Sequence, residues 1–287
     1  MSKSAWWVRS IAALPFPLLY SVAGFLSWLA FHVFPHRQHV VRENLALAFP
    51  ELNEAQLREV TRRFYTSFAQ IFMEIAKSAS MRPEELRRRV RIRNLDLPRE
   101  ELARGTPVLV LAAHQCNWEW MLLALSIELG YPVDAAYKPL VNAWAECEMF
   151  KIRTRFGARL VPGDRLLCNI LQQRNAPRAI AMLADQEPMK SGQKHWTRFL
   201  NRDSAFLMGP EEIARVTHYP AFFIAMRRTA RGFYEVQFKR LATGGEPLKL
   251  GELTEKYARA VEEQIRAAPP DWPWSHKRWR LKKSLYG

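Results

Sequence analysis

Cysteine is scarce in this chain: 287 residues carry only Cys116, Cys147 and Cys168. The number is odd, the spacings are wide, and no Cys-x-x-Cys pair occurs, which argues against a disulfide framework and a zinc site and places the chain in a reducing compartment. Also missing are a Gly/Ser linker, an internal repeat and a charge block that would divide the chain, so 37–287 reads as one globular domain with a sizeable core. Acidic residues are in deficit, 28 Asp+Glu against 43 Lys+Arg, for a net charge of +15. Such a molecule is drawn to polyanions. Zinc-finger spacing, a ribonucleoprotein signature and a basic recognition helix are all absent, and the tryptophans lie in apolar company. Nucleic acid is therefore excluded as the expected partner, and an anionic phospholipid surface takes its place.

Charge itself is absent from Ile11 to Phe34. A helix of that length would span roughly 36 Å at about 1.5 Å per residue, enough to cross a ~30 Å hydrocarbon core, and predicts a membrane anchor over 1–36. Pro15 and Pro17 kink its first turns, and oblique entry or a position in the interface is the alternative. A signal peptide competes, since Lys3 and Arg9 precede the run and Ser21-Val-Ala23 precedes Gly24. The apolar stretch from Phe25 to Phe34 continues past that cleavage pattern and favours anchoring. Arg37, Arg42 and the arginines beyond them put the catalytic domain on the cytoplasmic side.

Asn53-Glu-Ala-Gln56 has capping-box form and opens a helix with the apolar stripe Leu57, Val60, Phe64, Phe68, Ile71 and Ile75, a core face in preference to a lipid face. The arginine-rich stretch from Arg82 to Arg104 reads as solvated surface, with leaflet contact second. Beyond it, strands are expected at Val108–Leu111, Val133–Tyr137, Ala179–Leu183, Ala221–Arg227 and Tyr234–Phe238. Helices are expected at Asn117–Leu129, Asn142–Phe156, Gly163–Gln173 and Leu253–Ala267. The pattern predicts an α/β fold, a mainly parallel central sheet flanked by helices and preceded by the membrane helix and a helical segment.

The chemistry concentrates at Pro107-Val-Leu-Val-Leu-Ala-Ala-His-Gln-Cys-Asn-Trp-Glu119. His114 follows a buried strand, at the sheet edge where ligands bind in open α/β folds. Its imidazole can accept a proton near neutral pH, and Glu119, one turn into the next helix, could fold back to the second ring nitrogen. The competing reading makes His114 a loop residue and Glu119 a helix N-terminal acid. Asp185 ends the buried run Ala179–Ala184 and would emerge near His114 if both strands share a parallel sheet, unless it is a turn former.

His114-Gln-Cys-Asn-Trp-Glu119 resembles the His-x4-Asp/Glu signature of the glycerolipid and lipid A acyltransferases, and Asn117-Trp118-Glu119 favours the lipid A branch. His39–Glu51, Tyr137-Lys-Pro-Leu-Val-Asn142, Asp185-Gln186 and Ala268-Pro-Pro-Asp-Trp-Pro-Trp-Ser-His-Lys-Arg-Trp279 look like further blocks of that branch, in the same order along nearly the whole chain. The resemblance implies an inner-membrane O-acyltransferase without metal or cofactor. It would move a fatty acyl group from acyl carrier protein or acyl-CoA to a hydroxyl of a lipid A precursor or related glycolipid. His114 would be the general base, oriented by Glu119, with Asn117, Lys138, Arg153, Arg155 and Asp185 binding substrate. For Arg153 and Arg155, a basic helix end complementing the dipole is the alternative. The C-terminal tryptophans, with His276, Lys277 and Arg278, read as a packed clasp with its cations at the membrane face, in preference to an interface belt.

The chain departs from the branch at three places. Cys116 stands where glycine is usual, Lys138 replaces an arginine and loses its fork, and Phe206-Leu-Met208 makes the region before Gly209 bulkier. Another acceptor, such as a different hydroxylated lipid or a polyene-type pigment precursor, is the first alternative, and a non-catalytic lipid-binding protein is the second.

Overall fold

The computed structural model describes residues 6–33, 37–189 and 192–282. Five helices come first: α1 (Trp6–Ala13), α2 (Phe16–His32), α3 (Gln38–Ala48), α4 (Glu54–Lys77) and α5 (Pro83–Arg89). Strands and helices then alternate through β1 (Val90–Arg93), α6 (Asp96–Ala103), β2 (Val108–Ala112), α7 (Trp118–Glu128), β3 (Val133–Tyr137), α8 (Ala143–Thr154), β4 (Arg159–Pro162), α9 (Leu166–Gln172) and β5 (Ala179–Leu183). A hairpin of β6 (Lys194–Phe199) and β7 (Arg202–Leu207) leads to α10 (Gly209–Thr217), β8 (Ala221–Ala230), β9 (Phe233–Ala242) and α11 (Glu252–Ala267).

Among the described residues the main sheet has the order β1-β9-β8-β2-β5-β3-β4. Every neighbouring pair is parallel except β8 with β9. Strand β2 is buried along its whole length, as expected of a central parallel strand covered on both faces. Its alternate residues divide the core: Leu109 and Leu111 pack with Tyr257 and Val261 of α11, while Val108, Val110 and Ala112 pack with Trp120 and Leu123 of α7. The expected strands and helices are present, and the sheet is mainly parallel as the alternation implied.

The arginine-rich stretch is solvated as expected at Arg82, Arg87, Arg88, Arg91, Arg93, Arg99 and Arg104, and it also contains β1 at the sheet edge; Arg89 is the exception. Arg89 is buried there, its guanidinium 3.4 Å from the centre of the Phe16 ring, with Nη1 donating to the Gly232 carbonyl at 3.1 Å.

Among the described residues the N-terminal run is not one membrane-spanning helix, which corrects the spanning helix expected from Ile11 to Phe34. It breaks between α1 and α2 at Pro15, which has no N–H to continue the first helix. The second helix has 17 residues, about 25 Å at 1.5 Å per residue. No helix among the described residues is long and apolar enough to cross a membrane. Lys3, Phe34 and the boundary at residue 36 lie outside the described residues.

Polar ties hold this segment to α4. Lys77 Nζ donates to the Ala12 and Leu14 carbonyls at 2.6 and 2.8 Å, Ser27 and Thr66 hydroxyls meet at 3.1 Å, and the Tyr20 hydroxyl donates to Glu74 at 3.0 Å. Leu19, Tyr20, Ala23, Ser27 and Phe31 are buried on the inner side, whereas Leu18, Phe25, Leu26 and Trp28 are exposed. The run is thus apolar on two sides for two reasons: one side packs on protein and the other faces out.

Helix α4 opens with the expected reciprocal cap, Gln56 N to Asn53 Oδ1 at 3.0 Å and Asn53 N to Gln56 Oε1 at 2.9 Å. Its stripe is core, with Leu57, Phe64 and Ile71 buried, and the buried side also carries Thr61, Ser67 and Glu74.

The hairpin turn between β8 and β9 tests the α2 contact. Gly232 has φ +70°, and a Cβ there would lie 1.9 Å from the Tyr20 hydroxyl. Gly232→Ala is expected to cost about 1–3 kcal/mol through backbone strain and overpacking, read from urea unfolding, and to increase protease cutting in the α2 region.

Candidate active site

The parallel register of β2 and β5 puts Ala112 opposite Leu183, and two residues beyond each strand lie His114 and Asp185. The two side chains meet: His114 Nδ1 is 2.6 Å from Asp185 Oδ1, and the His114 backbone N–H donates to Oδ2 at 3.1 Å. Asp185 is fully buried, and Trp272 Nε1 donates to the same Oδ2 at 2.9 Å. Burial acts to raise the Asp185 carboxyl, but the charge of His114 and the hydrogen bonds from His114 and Trp272 outweigh it and hold the group below the usual carboxylate range. A carboxylate on Nδ1 sets the tautomer with its proton there, leaving Nε2 to the cavity that the ring lines.

The surrounding chain fixes both strand ends. Tyr257 donates its hydroxyl proton to the Ala112 carbonyl at 2.7 Å and accepts from the Ala184 N–H at 3.2 Å, bridging β2 and β5. Arg278 Nε donates to the Asp185 carbonyl at 2.7 Å and Nη2 to the Ala205 carbonyl at 2.6 Å. The C-terminal tryptophans form the expected clasp, with Trp272 and Trp274 ring centres 4.8 Å apart and Trp279 Nε1 on the Ser204 hydroxyl at 2.7 Å. Arg278 is 1% exposed, so the expectation of its charge at a membrane face is corrected: that charge is spent on two carbonyls inside the clasp.

Glu119 does not orient His114, which corrects the pairing read from their spacing. It is buried at the start of α7 and gripped by Arg153 of α8, with Arg153 Nε to Oε2 at 2.9 Å and Nη2 to Oε1 at 2.5 Å. Asp185 occupies Nδ1 of the ring, and a guanidinium fork satisfies both Glu119 oxygens. Burial works to lower the Arg153 pKa, and its bonds with Glu119 prevail and raise it, so the cation stays charged in a site only partly open to water. His114, Glu119, Arg153 and the exposed Lys138 all line one cavity.

Two other expected binding residues are not brought to that cavity. Asn117 is fully buried and caps α7, its Oδ1 accepting from Trp120 N at 3.0 Å and its Nδ2 donating to Glu74 at 2.9 Å. Arg155 lies past the last turn of α8 and turns back to the Ser78 carbonyl and the Phe156 ring. Asn117 is therefore part of the buried scaffold beneath the site, and Arg155, which is exposed, lies outside the cavity lining.

The cavity measures about 610 Å³. Polar groups gather where His114, Glu119, Arg153, Lys138 and Gln186 contribute, and Val110, Met121, Leu122, Leu125 and Ile224 supply an apolar wall between the sheet and α7. A concave, mainly apolar space with a few convergent polar groups suits a ligand with a hydrocarbon part and a polar end. Cys116 has φ +56°, the left-handed conformation that glycine adopts without strain, so the backbone path expected for glycine survives the exchange of side chain. Its thiol is pushed well up by burial and donates to the Met226 carbonyl at 3.4 Å, which leaves no thiolate for nucleophilic work. Among the described residues no cluster of histidine, cysteine and carboxylate side chains could hold a metal ion.

Residues 4–281 match the family model described as bacterial lipid A biosynthesis acyltransferase. The chain belongs to that family. It is an acyltransferase. Among its relatives are the lipid A biosynthesis palmitoleoyltransferase of Escherichia coli (strain K12) and a lipid A biosynthesis acyltransferase of Shigella flexneri. Each is 21% identical over 284 residues, covering 98% of this chain and 90% of the relative. The sheet edge in this acyltransferase is built by residues that sequence spacing separates: His114 and Asp185 are 71 positions apart, and Trp272 is a further 87 from Asp185. Tyr257 and Glu74 were not singled out by any motif. Their one sequence signal is a polar group on the buried stripe of an otherwise amphipathic helix.

Asp185→Asn should lower stability at neutral pH by on the order of 1–3 kcal/mol. A depressed folded-state pKa means this contribution is complete above the unfolded value of about 3.9 and fades as pH falls through the lower folded value. The gap between the two proteins in denaturant unfolding is therefore expected to be widest near pH 7 and to close under acid conditions.

Proposed function

We propose that this acyltransferase moves a fatty acyl group from an acyl thioester, on acyl carrier protein or coenzyme A, to a hydroxyl of a lipid A precursor. The observation that carries the mechanism is the 2.6 Å contact between His114 and the buried Asp185 at the mouth of a largely apolar cavity. His114 Nε2 takes the proton of the acceptor hydroxyl, and the oxygen attacks the thioester carbonyl. Asp185 stabilises the imidazolium that results, as a buried carboxylate does for a histidine base. The tetrahedral intermediate collapses with cleavage of the carbon–sulfur bond, and the imidazolium returns its proton to the departing thiolate. The fatty chain lies along Val110, Leu125 and Ile224.

Glu119 has a different task on this reading. It holds Arg153 at the cavity, where a preorganised cation can meet the developing oxyanion or a phosphate of the acceptor. Lys138 adds a second, exposed positive charge. The family's presence in lipid A biosynthesis supports the acceptor, and the positive net charge supports an anionic leaflet as the place of work. The outward residues of α2, including Phe25 at 62% and Trp28 at 53% exposure, favour a helix lying in the interface over one that spans. Seated in this way, the domain would work on the cytoplasmic face of the bacterial inner membrane.

His114→Ala is expected to reduce transfer by about 10² to 10⁴-fold with an unchanged far-UV spectrum. Lipid mass spectrometry reads both the acyl mass gained and the lipid that gains it. Wild-type turnover in the variant would rule out the base. Phe25→Asp combined with Trp28→Asp should weaken co-sedimentation with phosphatidylglycerol vesicles, while the far-UV spectrum stays the same. Undiminished vesicle binding would reject the interfacial seat of α2.

A further inference from the structure

Glu74 of α4 is fully buried and is not part of the cavity, yet four side chains from three other elements converge on it. Its Oε1 accepts from the Tyr20 hydroxyl of α2 at 3.0 Å. Its Oε2 accepts from the Tyr234 hydroxyl of β9 at 2.6 Å and from Asn117 Nδ2 at 2.9 Å. Its backbone carbonyl accepts from Trp120 Nε1 of α7 at 3.0 Å.

A buried carboxylate is an expensive way to fill space, since an apolar side chain would avoid the desolvation cost. Burial pushes the Glu74 carboxyl up, against the pull of Arg228 and its three donors. What such a network provides is directional geometry, because every donor must sit at its own angle and distance. The geometry set here is that of the turn after His114. Asn117 is locked twice, by Glu74 and by the Trp120 N–H, and the left-handed Cys116 between it and His114 is pinned by its N–H on the Asp271 carbonyl at 2.9 Å. The turn is thus held from its far end by Asn117, as Asp185 holds His114 and Gln115 bonds the Gln264 carbonyl at its near end. Tyr20 brings the N-terminal segment into the same carboxylate.

We propose that Glu74 is a positioning residue for acyl transfer, which links the seating of α2 to the His114 turn through Tyr20 and Asn117. The N-terminal helix is then a working part of the active centre as well as a surface for lipid. This inference rests on the reading of His114 as the base. A 1 Å misplacement of a catalytic group can cost about 10²-fold in rate, so loosening the turn should be visible in kcat.

The test uses the full chain with an acyl-CoA donor and a lipid A precursor in phosphatidylethanolamine–phosphatidylglycerol vesicles. It compares Tyr20→Phe, Glu74→Gln and Ser27→Ala. The Ser27 change also removes an α2–α4 bond, its hydroxyl contact with Thr66 at 3.1 Å, but has no connection to the turn. Tyr20→Phe and Glu74→Gln are expected to lower kcat by about ten- to a hundredfold with donor KM unchanged, and to speed amide hydrogen exchange over 114–121. Ser27→Ala should leave both unchanged. Equal losses in all three variants, or normal kcat in the first two, would overturn the link, as would a loss of kcat without faster exchange at the turn. If the wild-type chain itself transfers nothing, the reading of the site fails. The exchange measurement then decides the link alone, and slow exchange at the turn in Tyr20→Phe overturns it. Should Glu74→Gln fail to fold, Tyr20→Phe, which removes one oxygen from a packed ring, carries the decision.

Discussion

The in-register parallel pairing of β2 and β5 is the constraint on which the site depends. Parallel strands paired in register leave the sheet side by side, so equal offsets from Ala112 and Leu183 deliver an imidazole and a carboxylate to contact distance. A slip of one residue would turn Asp185 to the other side of the pleat. The molecule guards against this with long-range bonds at that edge. Tyr257 ties the two strand ends together, and the C-terminal clasp grips Asp185 by both side chain and backbone. The histidine's surroundings are consequently rigid without any metal or disulfide among the described residues.

Around that edge, buried charge is organised in separate compartments. Asp185 answers His114, Glu119 answers Arg153, and Glu74 gathers neutral donors with Arg228 nearby. Each carboxylate is satisfied locally, so the three do not compete for one partner. The arrangement separates proton transfer from charge stabilisation on the proposed mechanism: a cation fixed by Glu119 lines the same cavity as His114 while bonding a different carboxylate. It also gives the N-terminal helices two faces with different purposes, an inner one stitched to α4 and an outer one of exposed aromatic and aliphatic side chains.

Much of the outline was legible beforehand. The buried strand before His114, the one before Asp185, the capped α4 and the mainly parallel sheet follow from periodicity and turn chemistry, which act over a few residues. The family was legible from blocks such as His114–Glu119 and Ala268–Trp279. What misled was spacing used as a proxy for contact. The four-residue spacing between His114 and Glu119 suggested a pair, but α7 begins between them and Glu119 pairs with Arg153 of α8. A stretch from Ile11 to Phe34 without charge suggested a spanning helix, but hydropathy does not distinguish lipid from a protein face, and Pro15 interrupts the backbone.

The sequence by itself determined which residues could do chemistry, where the strands end, and which family the chain resembles, because these are local properties of side chains and short-range backbone preference. Tertiary structure decided the partners. Which carboxylate meets His114, whether Asn117 and Arg155 face the cavity or the scaffold, and how Tyr20 comes to share a buried acid with the turn all depend on strand order and helix packing across separations of 34 to 160 residues. No local pattern encodes contacts at that distance, since they arise only when the whole core closes and each polar group takes the nearest partner that burial leaves it.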